Sequence, residues 1–130
     1  MESEAPAAAS PKWMIWVGWI ITILVVLMLL MSAVFKFIKA PEALEGMQKL
    51  GWDESKLLTL GILEVSCAII YLIPRTSVLG AILLAAYLGG ATATHVRISD
   101  AFISPIIGGI LVWLGLWLRE SRLRALLPFR

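Results

Sequence analysis

The chain divides into long apolar blocks separated by short polar connections. Four such blocks run from Trp13 to Phe35, Leu57 to Ile73, Val78 to Val96 and Phe102 to Leu118. Each is close to the ~20 residues that an α-helix needs to cross about 30 Å of hydrocarbon. The pattern predicts an all-α integral membrane fold, a four-transmembrane-helix bundle with spans at about 13–35, 57–73, 78–96 and 102–118. Residues 1–12 then form a mobile leader punctuated by Pro6 and Pro11, and residues 119–130 a basic amphipathic tail.

Between the first two spans, Ala40 to Gly51 has a helix-opening Pro41 and a helix-closing Gly51. Leu44, Met47 and Leu50 recur three apart and make one side apolar. A short interfacial helix is expected here, either resting on the bilayer or capping the bundle as a lid. Trp52 would mark the interface, and Asp53 would cap the second span.

Composition supports the membrane reading. The chain is 60% hydrophobic, with a mean hydropathy of +0.91, above what a soluble domain of this size carries. The spans leave no room for a soluble catalytic domain. One Cys and one His cannot build a Cys-rich cluster or a multi-His metal site, so no intrinsic cofactor and no metal are expected. A net charge of +2 gives no argument for a nucleic-acid partner. The first span exceeds the usual ~7–15 apolar residues of a signal peptide, and Glu2 and Glu4 precede it. It is expected to be an uncleaved transmembrane helix.

With four spans both termini share a side, together with the turn at Pro74 to Ser77. Lys12, Arg75, Arg119, Arg122, Arg124 and Arg130 lie there, against Lys36, Lys39, Lys49, Lys56 and Arg97 on the other side. The positive-inside rule then puts both termini in the cytoplasm. The Arg-Leu alternation after Leu118 is expected to lie along the headgroups. In the third span, Ala81, Ala85, Gly89 and Ala93 recur every four residues, a small-residue stripe that predicts close packing and a central place for that helix. Gly108, Gly109 and Gly115 give the fourth span similar freedom, while Trp113 and Trp117 approach the cytoplasmic headgroups.

One residue interrupts the second span, the carboxylate of Glu64. A charged carboxylate against lipid costs at least ~2.5–3.5 kcal/mol, so Glu64 should point inward and be paired, hydrated or protonated. Glu64, Cys67 and Tyr71 follow at i, i+3 and i+7 on one helical face. Glu64 lies about 10 Å along the helix from Leu57. Lys36 closes the first span on that same side, and His95 and Arg97 end the third there. The candidate ligand-binding site is therefore Lys36, Glu64, Tyr87, Thr92, His95 and Arg97, with Thr94 close by and Glu64 and His95 as the candidate proton relay. A carboxyl beside an imidazole suits proton movement or a quinone-like headgroup, whose oxygens need donors. Lys36 and Arg97 could instead hold an anion. Against all of these stands a purely structural role, a buried bridge from Glu64 to Lys36 or Arg97 that fixes helix register.

Several segments resemble the DoxX-like family: Ser32-Ala33-Val34-Phe35-Lys36-Phe37, Leu50-Gly51-Trp52, Gly61-Ile62-Leu63-Glu64, and Gly89 to Arg97 with its Ala91-Thr92-Ala93-Thr94-His95 core. The family's Lys, Glu and His landmarks fall at Lys36, Glu64 and His95. The resemblance implies a small four-helix bacterial membrane protein of redox-associated character. Some relatives look like subunits of thiosulfate:quinone oxidoreductases, and eukaryotic relatives are implicated in receptor assembly.

Three functional readings follow. The first is a redox-associated subunit that holds a bound quinone or lipid headgroup, with its redox centre on another chain. The second is a non-enzymatic assembly or accessory subunit, whose small-residue face docks a membrane-protein partner. The third is transport of a small solute or proton by a homo-oligomer embedded in the lipid bilayer.

Overall fold

The structure, a computed structural model, describes residues 11–127. Its regular structure in that range is all helical. In chain order the helices are α1 (Lys12–Phe37), α2 (Pro41–Lys49), α3 (Lys56–Leu72), α4 (Ser77–Arg97), α5 (Ile103–Arg119) and α6 (Ser121–Leu126), with a single 3₁₀ turn at Pro74–Thr76. The four long helices match the four apolar blocks to within about two residues at each end. The expected leader falls almost wholly outside the described residues, as does the end of the basic tail.

Each long helix runs antiparallel to its two neighbours. α1 packs on α3 and α5, and α4 packs on the same two, so the ring closes with α1 and α4 on one diagonal. The third apolar block was expected at the centre, but α4 occupies one corner of a ring with no central helix. Its stripe of small residues is used only at its first turns. There Gly80 sits so close to α3 that a Cβ would run into the backbone of Tyr71, and Ala81 is fully buried. Farther along, a Cβ at Gly89 or Gly90 would meet nothing within 4 Å.

The core lies between the four helices: Val25, Val26 and Leu29 from α1, Ala68 and Tyr71 from α3, Leu84 from α4, Val112 and Leu116 from α5. The outer face is apolar too. Leu24, Leu27, Met28 and Met31 on α1, Leu58 and Ile62 on α3, and Ile107 and Ile110 on α5 are all exposed. A protein greasy on both faces is suited to an apolar solvent. α1 and the segment Pro74–Arg97 are long and apolar enough to cross a membrane. α3 and α5, at 17 residues each, rise about 25 Å and fall at the short end of the spanning range.

Helix ends are built differently at the two ends of the ring. At the α3–α4 end, side-chain hydroxyls take over carbonyls that α3 leaves unpaired. Thr76 Oγ1 donates to Ile70 O at 2.7 Å, and Ser77 Oγ lies 2.8 Å from Tyr71 O. At the opposite end, α1, α2 and α4 each close on a left-handed residue, Lys39 (φ 52°), Gly51 (φ 82°) and Ser99 (φ 58°). In each case the next amide folds back onto the helix: Ala40 N to Phe35 O, Trp52 N to Met47 O, Asp100 N to His95 O. These are Schellman closures, and Gly51 ends α2 as its sequence position predicts. Asp53 does not cap α3. Ser55 precedes the helix, and the Asp53 carboxylate accepts instead from Ser55 Oγ at 2.8 Å. That hydroxyl bond holds the Asp53 carboxyl below the usual carboxylate range.

The tail folds back as well. α6 buries Leu123 against the core, and Arg124 donates to the carbonyls of Trp117 and Leu118 at the end of α5. Arg119, expected among the headgroups, turns into the bundle. Its guanidinium lies 4.3 Å from the Trp19 ring and 5.4 Å from that of Tyr71. It also donates to Thr22 Oγ1 at 3.1 Å and Ser77 Oγ at 3.3 Å, reaching all three other long helices.

Candidate functional site

Lys36 sits in the last turn of α1, where a cation is favoured by the carbonyl end of the helix dipole. Its Nζ donates to Glu64 Oε1 on α3 at 3.1 Å and to Ser32 Oγ, one turn back on its own helix, at 2.7 Å. Glu64 is 3% exposed, whereas the Lys36 side chain keeps 16%. The pair is therefore sunk in the bundle but open on the lysine side. Phe37 closes another side. Its ring lies against Gly61, where a Cβ would come within 2.8 Å of it. Cys67, one turn beyond Glu64, and Tyr71 are buried on the same face of α3, as the helical spacing predicts.

Two cavities lie under α2, and Lys36 lines the first. One, of about 440 Å³, opens between α1 and α2 and is lined by Met28, Met31, Ser32, Lys36 and Glu42. The other, of about 290 Å³, lies under the α2–α3 connection and is lined by Trp52, Leu60, Tyr87, Gly90, Thr94 and His95. Met47 and Leu50 of α2 line both.

α2 is thus a roof with few attachments. Met47 is its buried residue. Arg97 Nη2 donates to Leu50 O, and Lys49 Nζ reaches Asp100 Oδ1 at 3.1 Å. Both ties run to the far end of α4. The bond from Lys49 holds the Asp100 carboxyl below its ordinary value.

The expected site residues therefore divide. Lys36 and Glu64 are joined. Tyr87, Thr94 and His95 share the smaller cavity. Arg97 is occupied with the end of α2. Thr92 donates to Leu88 O at 2.8 Å and lines a separate apolar groove of about 810 Å³ between α4 and α5, with Gly89, Gly109, Trp113 and Trp117. Ser32 was overlooked in the sequence although it stands four residues before Lys36 on one helical face. Arg119 was also overlooked. No local pattern could reveal it, because its partners lie on three other helices. Among the described residues no group of three His, Cys, Asp or Glu side chains is placed to hold a metal ion.

Closed ring, apolar outer face and buried ion pair define a small all-helical protein with two helices long and apolar enough to cross a membrane. A family model described as the DoxX-like family matches residues 20–118. The chain belongs to that family. No curated protein and no solved structure matches it.

Proposed function

We propose that this protein is a four-span subunit of the bacterial inner membrane that holds a quinone-class or similar lipophilic headgroup beneath α2. The observations that carry the reading are the buried Lys36–Glu64 pair, whose lysine lines one cavity, and a second cavity under the same Met47 and Leu50 roof. A pair meant only to fix helix register needs no space beside it. Here the space is present and polar groups line it: Lys36 and Ser32 in one cavity, Tyr87 and His95 in the other. Both can be entered from one end of the bundle when a lightly held helix moves. Such a pocket fits a flat headgroup carrying oxygens, whose hydrophobic tail leaves through the apolar rim.

In this reading all four long helices span the bilayer. α3 and α5 are short but flanked by Trp52 and Trp117, residues suited to the headgroup level. Both termini are cytoplasmic and the pocket opens on the opposite face. Electrons come from a redox centre on another polypeptide, and this chain supplies binding, orientation and proton-accepting groups. Gentle purification from native membranes followed by native mass spectrometry tests it. A retained quinone-class lipid, lost in Glu64→Gln, is the expected result. The reading fails if no lipid of that class is retained by the wild type.

A second reading, an accessory subunit, is favoured by one observation. Gly89, Gly90 and Gly109 have open space where a Cβ would sit, and Gly89 and Gly109 border the apolar α4–α5 groove. A partner helix could use that approach. The same experiment then yields a stoichiometric protein partner that Gly109→Leu releases.

A further inference from the structure

The His95 ring has one nitrogen already committed. Nδ1 lies 2.7 Å from Ala91 O, one turn back on α4. A carbonyl oxygen only accepts, so Nδ1 carries the proton. In the neutral ring Nε2 is then a bare acceptor. Among the described residues Nε2 has no hydrogen-bond partner, and the ring lines the 290 Å³ cavity. Tyr87 lines that cavity too, and its hydroxyl likewise bonds to no described residue. The residues around the cavity thus offer an acceptor that cannot donate at His95, a second at Thr94, whose hydroxyl proton is committed to Gly90 O, and one hydroxyl at Tyr87 that can do either, against the apolar walls of Leu60, Met47 and Trp52.

This arrangement discriminates between headgroup oxidation states. A hydroxyl on the ligand can donate to Nε2. A carbonyl oxygen in the same place would set lone pair against lone pair, and two unpaired acceptors held against apolar walls are costly. We propose that the cavity beneath Trp52 is a site for a hydroxyl-bearing, quinol-type headgroup in preference to its carbonyl form, with His95 Nε2 as the group that selects it. The inference rests on the headgroup reading above and adds the redox form that binds. Of the nearby charges, Arg97 is held by Leu50 O. Asp100, although bonded to Lys49, stays within electrostatic reach of His95 and favours a doubly protonated ring, so the selection holds only while the ring is neutral.

Two measurements test it. The first is binding of durohydroquinone, duroquinone and the dimethyl ether of durohydroquinone to the full-length protein in nanodiscs, anaerobically and near neutral pH. The wild type should bind the hydroquinone about tenfold more tightly than either of the others, and His95→Asn should reduce that preference to less than about twofold. Equal binding of all three by the wild type overturns the inference and leaves the headgroup reading standing. Binding of none overturns both. The second needs no variant. The sequence contains a single His, so ¹⁵N-histidine labelling reports His95 alone. Nδ1 should be protonated and Nε2 bare; an Nε2–H tautomer, or a doubly protonated ring, overturns the inference.

Discussion

Removing Lys36 should harm this protein more than removing its partner. At 3.1 Å two unit charges attract by about 5 kcal/mol at an effective dielectric constant near 20. Both also lose hydration on burial, so the net worth of the pair is far smaller than that figure. What matters in a variant is the group left behind. Lys36→Met leaves the Glu64 carboxylate enclosed with no cation on the opposing helix, a situation that costs about 3–5 kcal/mol in buried pairs. Glu64→Gln leaves the ammonium, which keeps Ser32, is more exposed and can extend into the adjoining cavity. Its cost should be about 1–2 kcal/mol. Adding Glu64→Gln to Lys36→Met should restore at least about 2 kcal/mol, because it removes the stranded charge. Equilibrium unfolding in mixed micelles, followed by circular dichroism, measures all three. The reasoning is refuted if Lys36→Met stays within about 0.5 kcal/mol of wild type, or if the double variant is no more stable than Lys36→Met alone.

At the other end of the bundle, Arg119→Lys should cost about 1–2 kcal/mol by thermal unfolding. An ammonium cannot stack flat on Trp19 while donating to both Thr22 and Ser77; unchanged stability would mean that charge alone suffices there. Gly80→Ala forces α3 and α4 apart at Tyr71 and should cost about 1–3 kcal/mol, whereas Gly109→Ala, with open space at its Cβ, should stabilise by about 0.5–1 kcal/mol. The α2 roof should loosen in acid. Because Lys49 depresses the Asp100 carboxyl in the folded state, the tie is fully present above the ordinary Asp value of 3.8 and is lost as pH falls through the lower folded one. Hydrogen exchange in α2, corrected for intrinsic rates, should therefore rise below about pH 4, and Asp100→Asn should abolish that response. A response that persists in Asp100→Asn would assign it elsewhere, Asp53 being the other depressed carboxyl nearby.

Much of this architecture is legible in the sequence, because the features that specify it are local. Apolar block length sets the four long helices, Pro41 and Gly51 bracket α2, and i, i+3, i+7 spacing places Glu64, Cys67 and Tyr71 on one buried face. That Glu64 meets a cation is legible too, since α1 ends where α3 begins, but the sequence leaves Lys36 and Arg97 both open as its partner. The remainder depends on which helices become neighbours. Closure of α1 onto α5 turns Arg119 inward and leaves α4 at a corner, with Gly89 facing open space. Neither outcome has a signature in the order of residues. Arg97 shares an end of the bundle with Glu64, but the α2 carbonyl at Leu50 claims it first. Asp53 has the right type and place for a cap, yet its carboxylate accepts from the Ser55 hydroxyl and α3 has no side-chain cap.

The central claim is that a headgroup binds beneath α2, and photocrosslinking addresses it most directly. An azide-bearing quinone analogue is irradiated with the protein in native membranes and the adducts are mapped by mass spectrometry. The account predicts labelling at Met47, Trp52 or Tyr87, competed by unlabelled quinone and lost in Glu64→Gln. Labelling confined to the α4–α5 groove around Ile110 and Trp113, or spread evenly over the apolar outer face, would contradict it.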